Sequence, residues 1–451
     1  MVHWLIGSLT NEPIPSYMMM QLSLRIFPLI CVITLIVAAP LPAQEWTRFR
    51  GPNGTGISHA TTVPVHFSEA DFNWRVPLPG EGHSSPVIWG NRIFLTSAEE
   101  AAGRWHLLCL STADGRELWR RTYSFKPYPK HRLNGFASST PAVDADAVYA
   151  MMVTPTSLLV LAFDHNGKEL WRRDLGTYTA GNGAGVSPIV VGDVVIVPND
   201  QEGDDNPPAG GVPPESALIG LDRKTGAIKW RHKRTRHGPA SYATPMVYEP
   251  PNGTPEVIFL STAHGITSLN PQTGELNWEL NDLSKLRCVA SPIMAKGLII
   301  AITGVGASGD RKGFAVRPGS KAQNLPPQIA YEIPRQSFSQ VPTPLAVGDL
   351  IFFWGDGGIV NCLRAATGEL VWRERIGGTF YGSPVYVNGK LYAMNAQGEL
   401  AVIAASEQFK LLAKIPLGEG SHATPAVADG VMYLRTLSHL ISVGGKRATQ
   451  Q

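Results

Sequence analysis

The sequence predicts an all-β fold, an eight-bladed β-propeller of four-stranded antiparallel blades whose ring is closed by an N-terminal strand. Three observations predict it. Proline-anchored strands recur eight times at intervals of 40 to 57 residues, a spacing typical of propeller blades. Most repeats later carry a glycine followed four residues on by a tryptophan, and one tryptophan-bearing strand precedes the first repeat.

Each repeat begins with Ser-Pro or Thr-Pro, at Pro86, Pro141, Pro188, Pro245, Pro292, Pro344, Pro384 and Pro425. In the first repeat a short strand follows the proline, a turn comes at Gly90-Asn91, and a second strand includes Ile93–Leu95. A third strand leads into an Asp-x-x-x-Gly turn, as in Leu221–Gly226, and a fourth carries the tryptophan. Turn residues between short β-branched and aromatic runs favour antiparallel sheets.

The glycine–tryptophan element predicts how neighbouring blades pack. Glycine allows a left-handed turn, and a tryptophan on the outer strand can bury on the order of 200 Å² against the next blade. We therefore interpret as structural Trp74, Trp119, Trp171, Trp230, Trp278 and Trp372. The outer strands expected at 329–333 and 409–412 lack this tryptophan, so weaker interfaces are predicted there.

Ring closure follows from a count of strands. The last repeat ends near Val443 after three strands, and residues 72–76 supply the missing fourth. Joining the ends in this way removes exposed sheet edges. The sequence thus predicts a leader at 44–71 and a single propeller at 72–451.

Residues 1–43 are predicted to be a secretory signal peptide. Arg25 precedes an apolar run of about a dozen residues, and a small residue, Ala43, stands before the expected cleavage point. Translation starting at Met18 would make residues 1–17 an extension, and an uncleaved anchor is the alternative. We expect a periplasmic or secreted protein, monomeric, with no transmembrane span after cleavage.

Charge and cysteine content argue against nucleic acid binding and against a disulfide-based fold. The net charge is +3 and no long basic run exists, which disfavours nucleic acid as a partner. Three cysteines remain after the predicted cleavage, Cys109, Cys288 and Cys362, and an odd number argues against a disulfide framework. We expect them to act as small buried residues.

The segment from Gly220 to Trp230 resembles the repeat motif of the pyrroloquinoline-quinone-like (PQQ-like) family, and it recurs loosely at 109–119, 268–278 and 362–372. The resemblance covers about residues 72–443 and implies the propeller fold. Residues 49–56 resemble the leader of exported proteins from planctomycete-type bacteria. The family divides into quinone-dependent alcohol dehydrogenases and non-enzymatic relatives, and this chain resembles the barrel-assembly propeller lipoprotein more than the dehydrogenases.

The dehydrogenase branch implies parts that this sequence lacks. Its members carry adjacent cysteines over the quinone, a Ca²⁺ ligand set of oxygen donors and an aspartate base. No Cys-Cys pair occurs here. We therefore predict no cofactor, with PQQ and Ca²⁺ as the alternative.

Two candidate sites remain. Asp200, Glu202 and Asp204 alternate in one acidic loop as Ca²⁺ ligands can, although a solvated loop is the alternative. Three residues before each anchoring proline, the loop entering the innermost strand should face the central funnel. The ligand-binding candidates there are His83, Ser138, Tyr242, Tyr381 and His422, with Gly185, Val289 and Val341 at the other equivalent positions. Histidine and tyrosine could bind a small polar or anionic ligand, or a metal.

The sequence therefore predicts an exported, non-enzymatic propeller that binds protein, peptide or carbohydrate in the cell envelope, as a binding or assembly scaffold. The alternatives are a degenerate quinoprotein alcohol dehydrogenase-like oxidoreductase and a small-molecule sensor that uses the funnel.

Overall fold

A computed structural model describes residues 45–203, 215–251, 253–283, 285–304, 311–337 and 339–445. The predicted signal peptide and Asp204 lie outside the described residues. The described residues belong to one compact unit. Within the described ranges no helix is long and apolar enough to span a membrane.

The described residues form eight antiparallel four-stranded blades, which confirms the predicted fold class. Blades one to seven run from an inner to an outer strand in chain order, whereas blade eight takes its outer strand from the start of the chain. The strands of blades one to four are β3 Val87–Trp89, β4 Arg92–Glu99, β5 Arg104–Ser111, β6 Glu117–Ser124, β7 Ala142–Val143, β8 Val148–Thr154, β9 Ser157–Phe163, β10 Glu169–Asp174, β11 Ile189–Val191, β12 Val194–Asn199, β13 Ala217–Asp222, β14 Ile228–Lys233, β15 Met246–Tyr248, β16 Glu256–Ser261, β17 Gly265–Leu269 and β18 Leu276–Leu280.

Blades five to eight continue the pattern, the leader contributes β1, and β2 at the start of the propeller belongs to blade eight. The remaining strands are β1 Ile57–Ser58, β2 Phe72–Pro77, β19 Ile293–Ala295, β20 Leu298–Gly304, β21 Arg311–Arg317, β22 Gln328–Glu332, β23 Leu345–Val347, β24 Leu350–Trp354, β25 Ile359–Arg364, β26 Leu370–Arg375, β27 Val385–Val387, β28 Lys390–Met394, β29 Glu399–Ala404, β30 Leu411–Pro416, β31 Ala426–Ala428, β32 Val431–Arg435 and β33 His439–Gly444. Short 3₁₀ turns lie at Pro52–Gly54, Glu69–Asp71, Glu100–Ala102 and Arg335–Ser337.

The ring closes as predicted. Strand β2 pairs antiparallel with β33, with Trp74 opposite Ser442, and so becomes the outer strand of blade eight. The leader does more than precede this strand, because β1 pairs in parallel with β27, the inner strand of blade seven.

Among the described residues, an outer-strand tryptophan bonds to the next blade at five junctions. Trp171 of blade two donates its indole N–H to the carbonyl of Arg223 in blade three at 2.9 Å, and Gly226 lies against the same ring. Equivalent bonds run from Trp74 to Thr112, Trp119 to His165, Trp230 to Pro271 and Trp372 to Ser406. Trp278 differs, since it donates to the carboxylate of Glu256 within its own blade.

In the two blades whose outer strand lacks tryptophan, another aromatic residue packs against the neighbouring blade. In blade five Tyr331 replaces the indole, donating its hydroxyl to the carbonyl of Ala365 at 2.6 Å, and Gly368 lies against its ring. In blade seven the strand begins at Leu411 rather than at 409, because Phe409 turns away to pack edge-on against Trp372 at 5.3 Å. Val63 of the leader joins the hydrophobic cluster of this flank.

Candidate functional site

All eight positions three residues before the anchoring prolines line one cavity of about 760 Å³. They enter the inner strands from the same end of the propeller, so the ring geometry brings residues from distant repeats together. The lining set includes the predicted His83, Ser138, Tyr242, Tyr381 and His422, together with Gly185, Val289 and Val341. This volume falls within the range of ligand pockets, roughly 300–1,000 Å³.

A ring of hydroxyl groups forms the wall below this mouth. Each Ser or Thr directly before an anchoring proline carries one of these hydroxyls. At seven blade junctions the hydroxyl accepts the backbone N–H of its counterpart in the preceding blade, at 2.9 to 3.1 Å. The bond from Thr424 to Ser85 closes the circle between blades eight and one. The Ser-Pro and Thr-Pro repeats therefore mark the waist of the funnel.

The leader closes the opposite end of the central channel. Trp46 pairs with Ile88 at the far end of the first inner strand, and β1 pairs with the inner strand of blade seven. Between them Phe49 reaches the cavity and lines it. The cavity is thus a recess with its entrance at the predicted mouth.

Two buried arginines flank Phe49. The guanidinium of Arg48 donates to the carbonyl of Pro245, and that of Arg50 donates to the carbonyl of Pro344 at 2.9 Å. Burial lowers the pKa of both groups to about 9, and in Arg50 the charge of Arg48 adds to the effect. Neither has a carboxylate partner among the described residues, so both add positive potential near the floor of the recess.

The two histidines meet at the mouth. The rings of His83 and His422 lie 4.4 Å apart between centroids, and Tyr381 packs edge-on to His422 at 4.6 Å. Burial lowers the pKa of His83 to about 3, with further contributions from His422, Arg435 and Lys130. Burial also lowers the pKa of His422, whose Nδ1 has no hydrogen-bonding partner among the described residues. At neutral pH the pair is an uncharged aromatic surface.

The opposite wall is basic and polar. Arg287 lies with its guanidinium carbon 5.8 Å from the ring centroid of Tyr242 and pairs with Glu202 at 3.1 Å. Lys285 lies on the same loop, is exposed and also lines the cavity. This wall can attract a carboxylate and stack an apolar group beside it.

Carboxylate ligands are scarce in the recess. Among the described lining residues Asp356 is the single acid. Its oxygens accept the backbone N–H groups of Gln340 and Val341 at 3.0 to 3.2 Å, and burial raises its pKa. One engaged carboxylate does not match the oxygen-rich donor set that Ca²⁺ and a bound quinone would need.

The predicted acidic loop is only partly described. Asp200 is buried, and Glu202 is held by Arg287 and by the backbone N–H of Gly181 at 2.6 Å. The described residues contain no group of three potential metal ligands. Because Asp204 lies outside them, the calcium site stays a prediction.

Several residues of the recess did not emerge from the sequence. Arg287 and Asp356 lie in loops outside the repeat positions, and Phe49 lies in the leader. Arg435 is fully buried behind His83, where it donates to the carbonyls of Ser84 at 2.9 Å and Thr96 at 2.6 Å. A charged residue ending the apolar run of β32 was the one available signal for Arg435.

The buried imidazole of His83 predicts a pH-dependent stability. The unfolded chain protonates His83 near its ordinary pKa of 6.5, whereas the folded protein resists protonation down to about 3. The stability contribution is therefore complete above pH 6.5 and is lost progressively as the pH falls towards 3. As the pH falls from 7 to 5, we expect the free energy of unfolding to decrease less in His83→Gln than in the unaltered chain. Urea titrations at each pH measure the difference.

Val289→Ala, which changes a mouth residue without an ionisable group, serves as the control and should retain the full pH slope. Equal slopes for His83→Gln and the unaltered chain would show that His83 is not protected from protons in solution.

Fold and recess together define a β-propeller whose inner-strand entry loops surround a ligand-sized funnel. The family described as "Outer membrane protein assembly factor BamB" matches residues 109–313 and 320–437, more than half of the chain. The chain therefore belongs to this family of PQQ-like repeat propellers, in agreement with the resemblance seen in its motifs.

Solved structures agree on the fold. The chain is similar to BamB from Moraxella catarrhalis, with 14% identity and a TM-score of 0.55 over 87% of this chain and 100% of that one. It is also similar to the quinohemoprotein alcohol dehydrogenase from Comamonas testosteroni (14% identity, TM-score 0.61, 90% and 82% covered). A europium-containing methanol dehydrogenase is another (13% identity, TM-score 0.61, 88% and 90% covered). At such identities the likeness shows the fold alone. A search of curated proteins finds no match.

Proposed function

We propose that this chain is an exported, non-enzymatic binding propeller that holds a segment of another envelope protein in its funnel. The observation that carries the proposal is the recess of about 760 Å³, closed at one end by the chain's own leader and entered through the eight inner-strand loops. Membership in a family described as an outer-membrane assembly factor supports a protein partner.

The lining suits a peptide. The amide side chain of Asn182 offers donors and an acceptor for a peptide backbone, whereas that of Asn134 is already bound on both of its atoms within the protein. Tyr242 and Arg287 together offer an aromatic face and a cation, which fit an aromatic or acidic side chain. A projecting loop or chain end of a partner could therefore insert into the funnel.

The chemistry of the lining supports binding rather than catalysis. The three described cysteines are buried, Cys109 and Cys362 in strands and Cys288 in the loop before β19. None lines the recess, and burial raises the pKa of each thiol to about 12. The one described acid is already bound by backbone N–H groups. The similarity to two dehydrogenases concerns the fold and gives no second candidate.

The test selects peptides from a random display library on the full chain and measures their binding by calorimetry. Tyr242→Ala should weaken the selected peptides at least about tenfold, because the aromatic wall is lost. Tyr248→Ala is the matched control. Tyr248 is the last residue of β15, the inner strand that the Tyr242 loop enters, and so lies at the far end of the channel. Its affinity should match that of the unaltered chain.

Equal loss in both variants, or none in either, would contradict binding in the funnel. A titration with PQQ and Ca²⁺ completes the test. Saturable binding that Tyr242→Ala removes would overturn the non-enzymatic proposal.

A further inference from the structure

The two buried arginines of the leader lie beneath one part of the funnel waist. Arg48 donates to the carbonyl of the proline after Thr244, and Arg50 donates to that of the proline after Thr343. Ser291 comes between these two positions around the waist, since the three residues precede the inner strands of blades four, five and six. Two positive charges thus flank the position of Ser291, and no carboxylate among the described residues pairs with either.

The hydroxyl groups at this part of the waist have hydrogens left to donate. The oxygen of Ser291 accepts the backbone N–H of Thr244 at 3.0 Å, and the Ser291 hydroxyl donates to no acceptor within the described ranges. The Thr244 hydroxyl makes no hydrogen bond to the described residues, since the junction of blades three and four lacks the bond found at the other seven. Its oxygen is nevertheless not enclosed, and both residues line the recess. Two O–H donors are thus available to a ligand.

A lysine lies on the mouth side of these hydroxyl groups. Lys285 belongs to the loop that leads to Ser291, is exposed and lines the same recess. It makes no ion pair within the described part of the chain, whereas Arg287 of the same loop is paired with Glu202. The one described acid of the lining, Asp356, is held by backbone N–H groups of another loop. The charge of Lys285 is therefore available to a ligand.

A carboxylate fits this combination of groups. Its two oxygens accept from two neighbouring hydroxyl donors, and the Lys285 ammonium adds a charge-assisted hydrogen bond. The guanidinium groups of Arg48 and Arg50 are buried, so they stabilise the negative charge through space rather than by contact. Phe49 and Tyr242 line the recess beside these groups and provide apolar contacts. A carboxylate attached to an apolar body is the chemistry of a chain-terminal residue.

We propose that Thr244, Ser291 and Lys285 bind the C-terminal carboxylate of the segment that the funnel holds, so that the segment enters end first. This binding rests on the proposed function, because it concerns the same segment and the same recess. A chain end passes the mouth once, whereas a loop passes it twice, and the leader closes the far end of the recess. An acidic side chain presents the same group as a chain end, and the experiment distinguishes these two sources.

A library that displays random peptides with free C-termini supplies the probes. The tightest peptide selected on the full chain is synthesised as the free acid and as the C-terminal amide, and calorimetry at low ionic strength measures both. The amide should bind about tenfold or more weakly, because hydrogen bonds to a charged group are the stronger ones. Replacing the acidic side chains of the peptide by amides should leave its affinity unchanged.

Two variants of the chain locate the site. Thr244→Val removes an O–H donor that makes no bond within the described chain, so the fold should persist while the free acid binds about tenfold more weakly. Lys285→Gln should weaken the free acid more than the amide. Lys126→Gln is the matched control, because Lys126 is exposed in the loop that enters blade two, outside the lining of the recess, and should weaken neither. Unchanged affinity of the free acid in both Thr244→Val and Lys285→Gln would overturn the site.

N-acetyl-leucine and its amide, measured by saturation-transfer NMR, separate the carboxylate site from the proposed function. Binding of N-acetyl-leucine alone, with no peptide selected, would support the carboxylate site and contradict the peptide-binding function. Equal affinity of the acid and amide peptides would overturn the carboxylate site and leave that function intact. A loss confined to replacement of an acidic side chain would overturn entry by the chain end. Binding of neither peptide nor N-acetyl-leucine would overturn both.

Discussion

Replacing Trp46 by alanine is expected to lower the free energy of unfolding by about 3–5 kcal/mol, the usual result of deleting a large buried side chain. Trp46 is 0% exposed and belongs to a hydrophobic cluster that includes Ile88, Val385 and Ile441, from blades one, seven and eight. Its removal would leave a cavity where the leader meets three blades. Urea unfolding followed by fluorescence and circular dichroism measures the change.

Leu118→Ala is the control for Trp46→Ala. Leu118 lies on an outer strand, is 38% exposed, and should change the unfolding free energy by no more than about 0.5 kcal/mol. A similar small value for Trp46→Ala would mean that the leader is not part of the cooperative unit, and the funnel would then be open at both ends.

The leader shows where sequence reasoning reached its limit. Its boundaries at 44–71 were predicted, but its course through the channel was not. Arg48 and Arg50 bind carbonyl groups 197 and 294 residues further along the chain. No local periodicity encodes such contacts, because the leader belongs to no repeat. From sequence alone, an arginine close to a predicted signal peptide is expected to be a surface residue. Only the three-dimensional arrangement of the blades shows that it is buried.

The repeats, by contrast, made the mouth of the funnel predictable. Aligning eight copies transfers one geometry to all of them, so His83 and His422 could be placed side by side although 339 residues separate them. Asp356 and Arg287 escaped this reasoning since they lie at loop positions that differ between blades. Tyr331 escaped it for a related reason, because the alignment recorded a missing tryptophan rather than a phenol that makes the same contact.

The contact between Trp171 of blade two and Gly226 of blade three can be tested by adding one methyl group at the glycine. Gly226 has a φ of 68°, and an added Cβ would lie 2.5 Å from the ring of Trp171. We expect Gly226→Ala to lower the free energy of unfolding by about 2–5 kcal/mol, combining about 1–2 kcal/mol of left-handed strain with about 1–3 kcal/mol of overpacking. Displacing the ring would also break its bond to the carbonyl of Arg223.

Gly90→Ala separates these two effects. Gly90 also lies in a turn with a positive φ, 55°, but an added Cβ would meet nothing within 4 Å. This variant should lose only the strain of about 1–2 kcal/mol. A clear excess for Gly226→Ala would show that the glycine exists to let the preceding blade's tryptophan approach. Equal losses would mean that the turn alone requires glycine, and that the indole can shift without loosening the ring of blades.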